Sequence, residues 1–169
     1  TQRSTQVEQQ RASSEELLKV DGDRSMHMTV RGPIVADQNF HSYEIKVSPT
    51  TNTYTVYKGY LENIESTKSY DTNTAAYTQF VYALNQAAFT RPGKYTEEQA
   101  SELRGICATG NVYDFSIMKG NDVVKHYWTS TCKGSPGTLG ANLSQVTNLF
   151  ESQISGLNDG FGTNSLSFL

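Results

Sequence analysis

Residues 112–131 read VYDFSIMKGNDVVKHYWTST, two short runs of alternating apolar and polar residues joined by a turn at residues 119–122. Alternation on both sides of a turn that contains glycine is typical of a β-hairpin. The only two cysteines of the chain, Cys107 and Cys132, flank this hairpin almost symmetrically. The spacing predicts that the two thiols meet at the open end of the hairpin and form a disulfide.

The position of the turn decides how the two cysteines face each other. A turn at Lys119-Gly120 places them directly opposite, and a turn at Gly120-Asn121 offsets them by two residues. If no bulge interrupts the strands, either register directs both sulfurs to one face of the hairpin. That face is predicted to carry Tyr113, Phe115 and Trp128. In the chain-entropy view, a bridge here stabilises the fold by roughly 3 kcal/mol.

Two other interpretations of the cysteines remain open. They can be free buried thiols in a cytosolic protein. Alternatively, Cys107 can be a catalytic nucleophile assisted by His126, which requires a reactive thiol beside a base. Cys132 competes for the same space, so the disulfide is the favoured prediction.

The composition favours a protein that works outside the cytoplasm. Charged residues make up only 18% of the 169 residues, which is below the usual quarter or so. Thr, Ser, Asn, Gln and ten Tyr supply the polarity instead. The formal net charge is −3 and no basic block is present, so a nucleic-acid partner is not expected. A disulfide points to an oxidising compartment, which makes the expected location secreted or anchored to the cell surface.

Membrane attachment is expected only through an anchor upstream of this chain. No apolar run approaches the ~20 residues that cross a bilayer. The chain begins at Thr1 without methionine or a signal peptide. The expected leader or anchor, either a lipid-modified cysteine or a transmembrane helix, therefore precedes the sequence.

The pattern of apolar residues predicts three regions and an α+β fold. Residues 1–24 are predicted to be a tether or short helical stalk, 25–154 a single globular domain, and 155–169 a flexible tail. Alternation predicts strands over 25–31, 40–48, 53–61 and 63–70, ahead of the hairpin. Helical spacing predicts one helix after Asn73, a short one near 96–104, and one over 139–154. We therefore expect a mostly antiparallel twisted sheet with two longer helices packed on one face, and one disulfide.

No catalytic or metal motif stands out, and no cofactor is expected. The three histidines, His27, His41 and His126, lie on different predicted strands without the close spacing of a zinc site. The carboxylates available for acid–base chemistry, Glu44, Asp114 and Asp122, are predicted to be solvated charges on polar strand faces or in a turn.

The tyrosines give the one candidate binding residue. Tyr57 has the opposite strand phase from Tyr54 and Tyr60, so one of these sets should face water. Exposed tyrosine among Ser, Thr and Asn is typical of adaptable recognition surfaces. Tyr57 is therefore the candidate contact residue, although such rings can also simply cover the sheet.

The sequence leaves three classes of function open. The leading one is a non-enzymatic, surface-tethered module that binds a protein or glycan at the cell surface, or assembles with other surface proteins. The alternative is a small secreted or periplasmic hydrolase whose site has no local motif. The third is a pilin-like subunit, which the helices between 73 and 104 fit poorly.

Overall fold

The computed structural model describes residues 2–32, 41–59, 63–93, 110–132 and 137–154. These residues form three helices and six strands. The helices are α1 (Gln2–Leu17), α2 (Thr74–Gln86) and α3 (Leu143–Glu151). The strands are β1 (Arg24–Arg31), β2 (His41–Val47), β3 (Thr51–Lys58), β4 (Asn63–Asp71), β5 (Val112–Lys119) and β6 (Asp122–Ser130).

All six strands belong to one antiparallel sheet with the order β4-β3-β2-β1-β5-β6. Strands β1 to β4 form a meander that runs outward to one edge. The chain then passes through α2 and returns to the other side of β1, where β5 and β6 complete the sheet. The α+β class and the mostly antiparallel sheet that the sequence predicts are thus confirmed, including the fourth strand over 63–71.

Alternation along β1 shows how the sequence separates the two faces of the sheet. Met26, Met28 and Val30 are completely buried, whereas the residues between them are only half-buried. In a strand, successive side chains point to opposite faces, so one face collects the apolar residues. We call it the helix face, because its residues share one core cluster with the buried residues of the helices.

Helices α2 and α3 begin at asparagine caps and cover the helix face. The side chain of Asn73 accepts a hydrogen bond from the Ala76 amide at 2.8 Å, and that of Asn142 accepts one from the Gln145 amide at 3.0 Å. Such caps satisfy amide groups that the first turn leaves without partners. Phe150 of α3 packs with its ring centroid 5.0 Å from Phe80 of α2 and 5.6 Å from Phe115 of β5.

The prediction of two longer helices on one face is not confirmed. The longest helix is α1, with 16 residues, whereas α2 has 13 and α3 only 9. The stripe from Leu139 to Ile154 predicts a longer last helix than is present, because Leu139 lies in a β-bridge with Pro92 before the helix begins. Helical spacing alone does not reveal that the first apolar residue of such a stripe belongs to another element.

Helix α1 falls in the region predicted to be a tether or stalk, and its last turns pack against the domain. Leu17 is buried in the main core, and Ser14 shares a 2.9 Å hydrogen bond with Thr90. The buried guanidinium of Arg24 donates to Glu16 at 2.8 Å. This helix has almost no apolar stripe, and it is held at one end by Leu17, the Ser14–Thr90 hydrogen bond and the Glu16–Arg24 ion pair.

The β5–β6 hairpin has the predicted strands and the second of the two predicted turns, but a bulge changes its register beyond the turn. Lys119 pairs with Asp122, so Gly120 and Asn121 form the turn, and Gly120 adopts a positive φ of 58°. Glycine takes up this conformation without steric cost. A bulge at Ile117/Met118 then shifts the remaining pairs by one residue.

This bulge makes the predicted face assignment wrong for Trp128. Phe115 is paired with Tyr127, which lies in the main core, whereas Trp128 is paired with Asp114 on the opposite side of the sheet. There Trp128 forms a small separate cluster with Val112 and Cys132. A shift of one residue moves every side chain of a strand to the other face. Because of the bulge, Phe115 and Trp128 lie on opposite faces, and the two sulfurs are no longer predicted to share a face with both of them.

Several sequence predictions lie outside the described residues. They include Cys107, the short helix near 96–104 and the tail at 155–169. The structure therefore does not show the Cys107–Cys132 bridge, and that bridge remains a prediction.

The position of Phe150 predicts a large stability loss on truncation. Phe150→Ala should lower the free energy of unfolding by about 3–5 kcal/mol, because it leaves a cavity between α2 and the sheet. Urea denaturation followed by circular dichroism measures this change. Val123→Ala serves as the control, since Val123 is exposed on β6 and should change stability by less than about 0.5 kcal/mol. Equal effects from both variants would contradict the packing described.

Candidate functional site

The face opposite the helices carries the candidate site, and we call it the polar face. Its central positions are set by the register of three strand pairs. Thr29 of β1 lies opposite Glu44 of β2 on one side and opposite Asp114 of β5 on the other. Neighbouring strands lie about 4.8 Å apart, so the backbones carrying the two carboxylates are separated by about 10 Å. Thr29 therefore lies between two acids.

Glu44 is the centre of a hydrogen-bonded group on this face. Its Oε2 accepts from the Thr29 hydroxyl at 3.3 Å, and its Oε1 accepts from the Tyr57 hydroxyl at 3.5 Å. The Lys46 ammonium lies 3.4 Å from Oε1. Burial and the charge of Glu44 raise the pKa of Tyr57, so this phenol stays protonated and acts as a donor. These contacts fix the orientation of the Glu44 carboxylate.

The second carboxylate of the polar face is paired with a histidine. Asp114 Oδ1 lies 2.8 Å from His126 Nε2, which links β5 to β6. The Asp114 side chain is only 12% exposed, and that of Glu44 only 14%. The prediction that these two acids are solvated surface charges is therefore wrong, whereas Asp122 in the hairpin turn is exposed.

His27 lies in the neighbouring row of the same face. It is opposite Lys46 on β2 and Ser116 on β5, and Ser116 is in turn opposite His126. Its Nε2 lies 3.2 Å from the Ser25 hydroxyl. Burial lowers the pKa of His27, Glu44 opposes this change, and Lys46 adds to it. The imidazole is therefore neutral at pH 7, and it offers one donor and one acceptor.

The structure places the predicted contact residue, Tyr57, on the polar face. It is half-buried and separated from Asp114 by two intervening strands, β2 and β1, whereas Tyr54 is buried in the core on the helix face. The predicted difference in phase between these two tyrosines is thus seen directly, while Tyr60 lies outside the described residues. Tyr57 does not stand alone but extends the group centred on Glu44.

The three histidines do not converge. His27 and His126 share the polar face, but His41 forms an ion pair with Glu65 at 3.2 Å near the start of β2. Among the residues that the structure describes, no three side chains of the metal-binding types are grouped to hold an ion. Within the same residues, no helix is both long and apolar enough to cross a membrane.

The sequence identifies Glu44, Asp114 and His126 as individual candidates but does not predict that they come together on one face of the sheet. Glu44, Asp114 and His126 lie on three strands that are far apart in the chain, and only the order β2-β1-β5-β6 brings them together. The signal present in the sequence is their strand phase, since each alternates with residues of the helix face.

Neither the scan against protein-family models nor the search of curated proteins found a match to this chain.

Because half-buried His27 is neutral in the folded protein, we expect the free energy of unfolding to decrease in mild acid. The unfolded chain protonates this residue near its ordinary pKa of 6.5, whereas the folded protein does so only at lower pH. The contribution of His27 is therefore complete above pH 6.5 and is lost as the pH falls below that value.

The measurement is urea unfolding at about pH 7.5 and about pH 5.5, for the wild type and for His27→Gln. We expect the wild type to lose more stability between these two conditions than the variant. Carboxylates contribute to acid destabilisation in both proteins, so the comparison isolates the histidine. Identical losses in the two proteins would show that the folded environment does not disfavour protonation of His27.

Proposed function

We propose that this chain is an extracytoplasmic binding module that takes up a glycan on the polar face. The observation that carries this proposal is the pair of shielded carboxylates, Glu44 and Asp114, which are held in fixed orientations on the face opposite the described helices. Removing carboxylates from water costs free energy that an apolar residue at the same position would not cost. Polar groups held at such a cost are typical of functional sites.

The chemistry of the face favours a ligand rich in hydroxyl groups. Ionised carboxylates only accept hydrogen bonds, and they therefore complement the donors of a sugar. Thr29 and neutral His27 add a hydroxyl and an imidazole on the same face. Tyr57 supplies an aromatic ring beside these groups, and a few placed polar groups next to an aromatic surface are the usual composition of a small-ligand site.

The proposal predicts that Tyr57 contributes strongly to binding. Tyr57→Ala should weaken glycan binding by about 2 kcal/mol, or roughly thirtyfold, because it removes an aromatic contact at the site. Glycan-array screening followed by calorimetry on the best ligand measures this loss. Tyr82→Ala is the matched control, since Tyr82 is 58% exposed on α2. It should leave the affinity unchanged.

The same screen separates the proposal from its competitors. No glycan binding, together with capture of a defined surface protein that Tyr57→Ala abolishes, would replace the glycan by a protein partner. Equal affinity of wild type and Tyr57→Ala for the same glycan would remove the polar face from the binding site.

One observation favours a hydrolase as the second candidate. Asp114 and His126 lie 2.8 Å apart, and Ser116 occupies the position opposite His126. An acid, a base and a hydroxyl on one surface are the components of nucleophilic catalysis. Turnover in a panel of ester and glycoside substrates that is lost in His126→Ala would favour this candidate over the binding module.

The location outside the cytoplasm rests on the proposed Cys107–Cys132 bridge. Cys132 packs beside Trp128 and Val112, and no cysteine in the described part of the chain is a free thiol. Its neighbour Thr131 still pairs with Asn111, through a 3.0 Å bond from the Thr131 amide to the Asn111 carbonyl. Cys132 is therefore held just beyond the paired end of β5 and β6. Cys107 precedes Asn111 by four residues in the sequence.

Mass spectrometry tests the bridge directly. The intact protein, kept under non-reducing conditions, should be lighter than the reduced protein by two hydrogen atoms. It should also resist alkylation until a reductant is added, because a disulfide has no thiolate. Labelling of both cysteines in the native, unreduced protein would contradict the bridge and remove the main support for an oxidising compartment.

A further inference from the structure

Strand β4 forms one edge of the sheet and is exposed along its length. Eight of its nine residues are exposed, and only Tyr70 is half-buried. Ser66 and Lys68 are exposed although their partners Val56 and Tyr54 face the helices. Within the described residues, the helices therefore cover little of β4, of which only Tyr70 packs against the core. Its only strand partner in the described part of the chain is β3.

Part of the opposite edge of the sheet is covered by the chain itself. Near the end of β6, the amides of Thr138 and Leu139 both donate to the Trp128 carbonyl, at 2.8 and 3.0 Å. The Thr138 hydroxyl accepts from the Trp128 amide at 3.0 Å. Gly137 fits here because a Cβ at its position would collide with the Trp128 carbonyl oxygen. The two edges thus differ in the described part of the chain: β6 is covered at Trp128, whereas β4 has β3 alone beside it.

One hydrogen bond shows which backbone groups of β4 point outward. The Thr72 amide donates to the Thr50 carbonyl at 3.0 Å, so residue 72 points toward β3. Backbone groups alternate in direction along a strand. The amides and carbonyls of Thr67, Ser69 and Asp71 therefore point away from β3, and these three residues form the outward hydrogen-bonding row. A strand edge of this kind is a template for another strand.

We propose that β4 pairs antiparallel with β4 of a second copy of this chain, with Ser69 on the two-fold axis. Symmetry allows an identical strand to pair with itself when one residue lies opposite its own copy, which keeps like faces together. Ser69 then pairs with Ser69, and Thr67 pairs with Asp71, twice. These outward residues exchange roughly six backbone hydrogen bonds.

Charge and the β-bulge select this register over its neighbours. An axis through Lys68 places two ammonium groups directly opposite, which is unfavourable. An axis through Thr67 brings Ser69 opposite Glu65, where the pairing of β4 with β3 is interrupted between Ser66 and Ile64. An axis through Ser69 keeps all pairs in the regular part of β4. It also places the Thr67 hydroxyl opposite the Asp71 carboxylate, which can accept a hydrogen bond from this hydroxyl.

The bulge and Lys68 also explain why pairing stops at a dimer. Bulges and lysines limit the growth of open sheet edges. Here the bulge lies only in the first part of β4, so residues 67–71 remain regular. Each β4 is used once, and the contacts of Thr138 and Leu139 with Trp128 interrupt the β6 edge, so we expect a closed pair with a continuous sheet across both copies.

Ser69→Pro tests the pairing with little cost to the monomer. Proline removes the Ser69 amide, which points away from β3 and is not part of the β3–β4 ladder, and proline is tolerated on edge strands. We expect the wild type to show a concentration-dependent dimer in analytical ultracentrifugation, and Ser69→Pro to remain monomeric with a circular dichroism spectrum like that of the wild type. Ser69→Ala keeps the amide and should still dimerise. A wild type that is monomeric up to millimolar concentration, or a dimeric Ser69→Pro, would overturn the proposal.

A cross-link tests the register independently of folding effects. Paired residues that exchange both hydrogen bonds have Cα atoms about 5.5 Å apart, which suits a disulfide. Ser69→Cys should therefore form a covalent dimer under mild oxidation, on a non-reducing gel with the wild type beside it. Tyr82→Cys, exposed on α2, should not. Equal cross-linking of both variants would indicate random collision and would contradict the Ser69 axis.

Discussion

The pairing of β1 with β5 joins the two halves of the sheet, and most of the other structure follows from it. Eight consecutive residues of β1 face β5, and β2 occupies the other side. The register of this seam determines that Met28 meets Phe115 on the helix face while Thr29 meets Asp114 on the polar face. Core and candidate site are thus two sides of the same alignment, and a slip of one residue would exchange them.

The sequence predicts the individual strands well because alternation is a local signal. Strand β1, the meander and the helix after Asn73 can all be recognised within windows of about ten residues. The register of β6 cannot, because the bulge at Ile117/Met118 comes from pairing and leaves no trace in the alternation itself. The sequence does not identify α1 as the longest helix, for a related reason. The attachment of α1 through Leu17 and Arg24 depends on tertiary contacts rather than on an apolar stripe.

The candidate site could be predicted residue by residue but not as an assembly. Tyr57, Glu44 and Asp114 each have the strand phase of an outward residue, and so their presence on one face follows from the sequence. Their proximity requires the strand order, which inserts β1 between β2 and β5 although these strands are separated by the whole of β3, β4 and α2 in the chain. The partial burial of the acids is likewise a property of the assembled sheet.

The position of β1 between a near and a distant partner has a consequence for how the protein folds. Strand β2 follows β1 within a few residues, whereas β5 begins about eighty residues later, and long loops close more slowly than short ones. We expect the meander to form early and the β5–β6 hairpin to join it last. During synthesis the inner edge of β1, with Met26, Met28 and Val30 beside it, stays open until the hairpin has been made. A strand that lies at the centre of the finished sheet is therefore open to aggregation while the chain is incomplete.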